Sequence, residues 1–135
     1  MNTAKVDYQG ELRTLATHLR SEDTLITDAP VDNNGKGEAF SPTDLVATGL
    51  VSCMITVMGI KAQKKDWKLG EVEGSVKKVM ADTPRRICRL DVEIHFKKNS
   101  LSLTERKVLE ATAINCPVAK SIHPEIIQNV KFVYG

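Results

Sequence analysis

Between Leu45 and Ile60 sixteen consecutive residues carry no charge, in a chain where 27% of residues are Asp, Glu, Lys or Arg. The stretch before it, SPTD, reads as a helix start. Ser41 offers a side-chain oxygen to the first free N–H groups, Pro42 suits the first helical position, and Asp44 places an acid where the helix dipole favours it. The pattern breaks at Asp66-Trp67 and Gly70, which predicts a helix of about 24 residues, roughly 36 Å long. A helix apolar on every side needs cover all round. A bilayer span takes about 20 apolar residues. The uncharged run is shorter, contains Thr48, Ser52 and Thr56, and lacks an aromatic belt, so a membrane span is not expected. A domain of this length has a radius of gyration of roughly 14 Å, so one hairpin sheet covers only part of such a helix. The remainder is expected to be covered by a second copy of the chain, with Ala47, Thr48, Gly49 and Ser52 permitting close approach. This predicts an obligate homodimer with a large apolar interface.

The rest of the chain predicts an α+β fold in one domain, residues 1–135. The first forty residues alternate apolar and polar positions around turns at Gln9-Gly10 and at RSED, giving two or three strands. Asp28 to Phe40 is rich in Asp, Asn, Gly and Pro and reads as a loop. Glu71 to Met80 and Arg86 to Lys98 alternate on either side of ADTPR, which predicts a hairpin. Cys88, Leu90, Val92, Ile94 and Phe96 fall on one face of its second strand, and His95 on the solvent face. SLTE, at Ser102 to Glu105, is a capping box opening a second helix over about Leu103 to Ile114. A short third helix follows, with Pro117 at its first position and Cys116 where the cap belongs; Pro124 follows it and IIQNVKFVY is a closing strand.

Composition excludes several classes. The net charge is +2 and aromatics make up 4%, so neither polyanion binding nor base stacking on single strands is indicated. The opening MNTAKVDYQGELR lacks the basic-then-apolar order of a signal peptide, and a cytoplasmic location is expected. Three cysteines at wide spacing suit neither a secreted disulfide framework nor a zinc ribbon, and the three histidines do not complete one. No metal and no cofactor are expected.

The cysteines differ in setting. Cys88 reads as strand packing. Cys53 lies one turn after Gly49, whose missing side chain leaves a niche over the sulfur. It is three turns into the helix, beyond the dipole's reach, so a cation or donor must activate it. Cys116, at a helix cap, is expected to have a lowered pKa. One low-pKa thiol near a second thiol is the arrangement for reversible oxidation. Spacing alone leaves open whether the two cysteines meet.

SPTDLVATGLVSCM, followed some sixty residues later by NCPVAKSIHP, resembles the OsmC/Ohr family, the osmotically induced and organic hydroperoxide resistance proteins. The element order matches over nearly the whole chain. The resemblance implies an intertwined α+β homodimer with two active sites at the subunit boundary. It further implies Cys53 as the peroxidatic and Cys116 as the resolving cysteine, organic hydroperoxides as substrates, and dithiols of the lipoyl type as reductants. Two positions depart from the family pattern. Thr43 stands where the family's peroxidases carry a glutamate, with Asp44, the nearest carboxylate, rotated by about 100°. The loop Asp28 to Phe40 lacks an arginine, leaving Arg13 as the supporting cation, with Arg20 behind it. Leu50, Met54, Val57 and Met58 are either an apolar substrate wall or core. The alternative to a thiol peroxidase is a non-enzymatic protein holding a small apolar ligand in the dimer cleft.

Overall fold

The computed structural model describes all 135 residues, which divide into two compact units, Met1–Val46 and Ala47–Gly135. The first unit holds three antiparallel strands in the order β1-β2-β3: β1 (Ala4–Gly10), β2 (Arg13–His18) and β3 (Thr24–Asp28). The β1-β2 hairpin turns through Gly10, Glu11 and Leu12, all at positive φ. A left-handed Leu12 is unusual for a residue with a side chain. Almost every residue of β1 is exposed, Val6 and Tyr8 included. A loop with one 3-10 turn, Val31–Asn33, leads on to the long helix α1 (Pro42–Lys65), whose first residues belong to this unit.

Helix α1 starts as its sequence dictates. The Asp44 backbone N–H donates to Ser41 Oγ at 3.1 Å and the Ser41 N–H donates to Asp44 Oδ2 at 3.0 Å, a reciprocal cap that satisfies two otherwise free donors.

The second unit contains the rest of α1, then β4 (Glu71–Ala81), β5 (Arg86–Lys98), α2 (Leu103–Ile114), α3 (Pro117–Ser121) and β6 (Ile127–Tyr134). The sheet order is β4-β5-β6, with β4 antiparallel and β6 parallel to β5. A parallel neighbour needs a crossover, and α2 and α3 supply it. The capping box at Ser102 forms in both directions, with Glu105 N–H to Ser102 Oγ at 3.2 Å and Ser102 N–H to Glu105 Oε1 at 2.9 Å. Gly70, at φ 78°, admits no other residue, because a Cβ there would lie 1.9 Å from the Lys98 carbonyl oxygen.

The core lies between the inner face of β5 and the helices. Leu90, Val92, Ile94 and Phe96 are buried at alternate positions, against Leu50, Val51, Met54 and Met58 of α1 and Leu109 and Ala113 of α2. Each such large side chain contributes about 1.5–3 kcal/mol of burial free energy. Phe96 stacks on Tyr134 of β6 at 4.7 Å between ring centroids, and the Tyr134 hydroxyl donates to Glu110 Oε2 at 2.6 Å, tying β6 to α2.

Cys88 is not part of this face. A bulge between Val79 and Met80 lets Met80 pair with Ile87 and leaves Cys88 as the extra residue. Bulges reset which side chains face inward. Ile87 packs on the core, and the Cys88 thiol donates instead to the Val79 carbonyl at 3.4 Å. Strict alternation could not reveal that shift.

Helix α1 buries one face and leaves another outward. Ala47, Leu50, Val51, Met54, Met58 and Ala62 are buried, while Val46, Ser52, Thr56 and Ile60 are exposed with Gly49 and Gly59 beside them. A Cβ on either glycine would meet nothing within 4 Å. By length and composition α1 does suffice to cross a bilayer, contrary to the shortness read from the uncharged run alone. Its large residues go instead into the core formed with β5 and α2.

Candidate active site

Two of the three cysteines come together. Cys53 sits half-buried near the middle of α1, and Cys116 caps α3 after α2 has ended at Ile114. Cys116 takes an extended conformation, φ −64° and ψ 157°, and its Sγ accepts the Ala119 backbone N–H at 3.4 Å. Pro117 favours this arrangement, since its fixed φ begins the helix and its absent N–H leaves no donor to satisfy. The Cys53 side chain is close enough to Cys116 to act on it through a hydrogen bond and through charge, and both thiols are free.

The expected fall in the Cys116 pKa does not occur. Burial, which leaves Cys116 1% exposed, pushes the thiol up, and the neighbouring Cys53 raises it further, against smaller lowering by the N–H groups of Ala119 and Val118. A thiolate here would have to shed nearly all its water, and two backbone donors at a five-residue helix do not replace it. Cys116 is therefore a protonated, sheltered thiol at neutral pH.

Leu50, Met54 and Met58 are completely buried and belong to the core rather than to a substrate wall; Val57 is half-buried and packs on the same core. Gly49, one turn before Cys53, leaves open space on α1, since a Cβ there would meet nothing within 4 Å.

The supporting residues lie in the first unit. Arg13 opens β2 opposite Asp28 at the end of β3 and holds its carboxylate with two hydrogen bonds, Nε to Oδ1 at 2.7 Å and Nη2 to Oδ2 at 2.8 Å. Nη2 also donates to Glu38 Oε1 at 3.2 Å, and the Glu38 backbone N–H donates to Asp28 Oδ2 at 3.1 Å. Asp28 is 1% exposed. Its hydrogen bonds from Arg13 hold the carboxyl below its ordinary range despite the desolvation that opposes this, and Arg13 is raised in turn. Asp28 escapes a reading of the sequence, because an aspartate before Ala29-Pro30 looks like an ordinary turn former. Arg20 is exposed in the turn after β2. The Thr43 hydroxyl lies 3.3 Å from Ser41 Oγ, and the Asp44 carboxylate is turned back onto the helix cap. His123 accepts the Glu125 backbone N–H through Nδ1 at 3.0 Å, and no three His, Cys, Asp or Glu side chains gather as metal ligands.

Two adjacent reduced thiols are the minimal set for a two-electron oxidation to a disulfide. Comparison with known proteins shows the family. The sequence profile of the family described as OsmC-like protein matches residues 35–131. The chain belongs to the OsmC-like protein family. A Psychrobacter arcticus protein, described as an osmotic stress induced and detoxification response protein, is 53% identical over 98% of this chain and 96% of its own, with a TM-score of 0.93. Two more distant structures share the OsmC-like fold. One is an organic hydroperoxide resistance protein of Legionella pneumophila, 21% identical over 98% of both chains with a TM-score of 0.74. The other, from Vibrio cholerae, carries captopril in one of its active sites and is 15% identical over 98% of this chain and 92% of its own, with a TM-score of 0.75. No curated protein matches the chain.

Proposed function

We propose that this OsmC-like chain is a thiol-dependent peroxidase that reduces organic hydroperoxides in oxidative stress defence. The observation that carries the reading is the adjacency of Cys53 and Cys116, 63 positions apart in sequence (116 less 53). The roles follow from their settings. A thiolate is the attacking species, and Cys116 is buried, protonated and pushed up in pKa, which leaves the first attack to Cys53. The Cys53 thiolate attacks the distal peroxide oxygen, the O–O bond breaks, and the alcohol departs after taking up a proton. Cys116 then condenses with the Cys53 sulfenic acid, releasing water and forming the disulfide. An external dithiol, for which the family resemblance suggests the lipoyl type, returns both thiols. Arg13 is held by Asp28 and Glu38 within its own unit, Asp44 acts as a helix cap, and no cofactor takes part.

The proposal includes a homodimer, a cytoplasmic location and a single functional domain, the family profile running from residue 35 at the end of the first compact unit to residue 131 in the second. The dimer is supported by the small-residue face of α1, where Ile60 stays 46% exposed, and by the exposed Val6 and Tyr8 of β1.

Stoichiometric consumption of cumene hydroperoxide, followed in the native protein and in Cys53→Ser, tests the reading. The native protein is expected to consume one equivalent and Cys53→Ser none; equal rates would remove the enzyme reading. A second reading, a binding protein for a small apolar ligand, is favoured by a shallow groove of about 310 Å³ in the first unit, lined by Tyr8, Leu12, Ala29, Pro30 and Pro42. It predicts ligand binding that survives Cys53→Ser without peroxide turnover.

A further inference from the structure

Val130, Phe132 and Tyr134 of β6 pack on the core at alternate positions, and the same alternation places Gln128 on that face, opposite the fully buried Leu90 of β5. A side-chain amide turned toward a core costs stability unless it is hydrogen-bonded. Gln128 finds its partner on α3, where its Nε2 donates to the Ala119 carbonyl at 3.0 Å. The same peptide is held at its other end, since the Lys120 N–H donates to the Cys116 carbonyl at 3.1 Å. One peptide earlier, the Ala119 N–H donates to Cys116 Sγ at 3.4 Å. Gln128 therefore grips the turn that closes on both the backbone and the sulfur of Cys116. A helix of five residues does not hold itself in water, so α3 depends on ties of this kind.

We propose that Gln128 is a positioning residue for Cys116: by holding the Ala119–Lys120 peptide it keeps the resolving sulfur set against Cys53 for disulfide closure. The inference rests on the peroxidase reading for its sulfenic acid and goes beyond it in assigning a residue outside the two thiols. In the closing step Cys116 Sγ bonds to Cys53 Sγ while the S–O bond of the Cys53 sulfenic acid breaks. The departing oxygen leaves as water, carrying the proton of the Cys116 thiol. Such a step within one molecule runs at a rate set by how often the two sulfurs stand in line, and small displacements are costly. Released from Gln128, the α3 turn frays and Cys116 Sγ spends less time against Cys53. Cys116 still packs in the core cluster with Leu109 and Ala113 of α2, so aim is lost more than burial. Tyr134, at the other end of β6, supplies the contrast, because its hydroxyl ties the strand to Glu110 of α2 rather than to α3.

Gln128→Met keeps the length of the side chain and removes its donor. The reduced protein is mixed with one equivalent of cumene hydroperoxide, and the two steps are timed separately. Dimedone trapping follows the Cys53 sulfenic acid, and mass spectrometry of acid-quenched, N-ethylmaleimide-blocked samples follows the disulfide. Gln128→Met is expected to form the sulfenic acid at the native rate and to close it about fivefold more slowly. Gln128→Glu, equal in size but with an acceptor in place of the donor, is expected to close at least as slowly, and Tyr134→Phe at the native rate. Native closure in both Gln128 variants overturns the assignment. So does equal slowing in Tyr134→Phe, or equal slowing of both steps in Gln128→Met, since either result marks a general loss of structure. Saturating diamide repeats the comparison without peroxide, and there too Gln128→Met is expected to close the disulfide about fivefold more slowly. If diamide closes the native disulfide and cumene hydroperoxide does not, the peroxidase reading fails. Gln128 is then judged on diamide alone, where equal rates in the native protein and Gln128→Met overturn its role.

Discussion

Placing a single methyl group on β4 tests how α1 is seated on the sheet and, with it, how Cys53 is presented. Gly74 lies under α1, and a Cβ built on it would sit 2.4 Å from Val51 Cγ1 and 2.9 Å from Ile55 Cδ1. Ordinary carbon contacts are about 3.5–4.0 Å, so Val51 must give way by more than an ångström. It has little freedom to do so, because valine in a helix is nearly confined to one rotamer, and the helix itself must lift. Overpacking of this kind costs about 1–3 kcal/mol. Against it stands about 0.4–1 kcal/mol gained when alanine replaces glycine in the unfolded chain. Gly74→Ala is therefore expected to destabilise the protein by about 1–2 kcal/mol, seen as a fall in Tm of about 4–10 °C and a lower urea midpoint at unchanged slope. Val51→Ala opens room for the new methyl, so the double variant should be more stable than the two single costs predict, by about 1 kcal/mol. Cys53 lies between Val51 and Ile55 in sequence, and lifting this turn should also slow diamide closure of the Cys53–Cys116 disulfide. A Gly74→Ala protein as stable as the native one, or strictly additive costs in the cycle, would refute the packing argument.

The Asp28–Arg13 pair sets an acid limit. Its carboxyl pKa is held below the ordinary value by Arg13, so its contribution is present above about pH 3.9, the unfolded value, and is lost as pH falls through the depressed folded one. Thermal melts from pH 7 down to pH 3 should show a steeper loss in the native protein than in Asp28→Asn, and parallel curves would count against the pair. Cys116 sets an alkaline limit of opposite sign. Its folded pKa is raised, so the stability of the buried neutral thiol is complete below about pH 8.5 and declines as pH rises toward the folded value. Cys116→Ala should flatten the fall in Tm between pH 8 and pH 10, and an unchanged slope would show that this thiol does not titrate as buried.

Much of this molecule is written locally. Ser41, Pro42 and Asp44 start α1, SLTE starts α2, Pro117 starts α3 with Cys116 as cap, and the alternation of Leu90 to Phe96 marks the inward face of β5. Each of these depends on groups within a few residues of one another, so the sequence order already contains the interaction. The same reasoning misplaced Cys88 because a bulge is a property of two paired strands, and it missed Asp28 because the carboxylate's partner lies 15 residues away. It also gave Cys116 the wrong pKa direction. The cap geometry was readable in the sequence, but the dehydration that outweighs it comes from packing among α1, α2 and β5.

The sequence by itself determined where the helices and strands begin, which faces are apolar, and that Cys116 would occupy a helix cap. Tertiary structure alone decided that Cys53 and Cys116 meet, that Cys116 is shut away from water, and that Leu50, Met54 and Met58 are core. The physical reason is range. Capping and alternation act over one turn or one strand pair, whereas desolvation and thiol adjacency depend on which distant segments pack together.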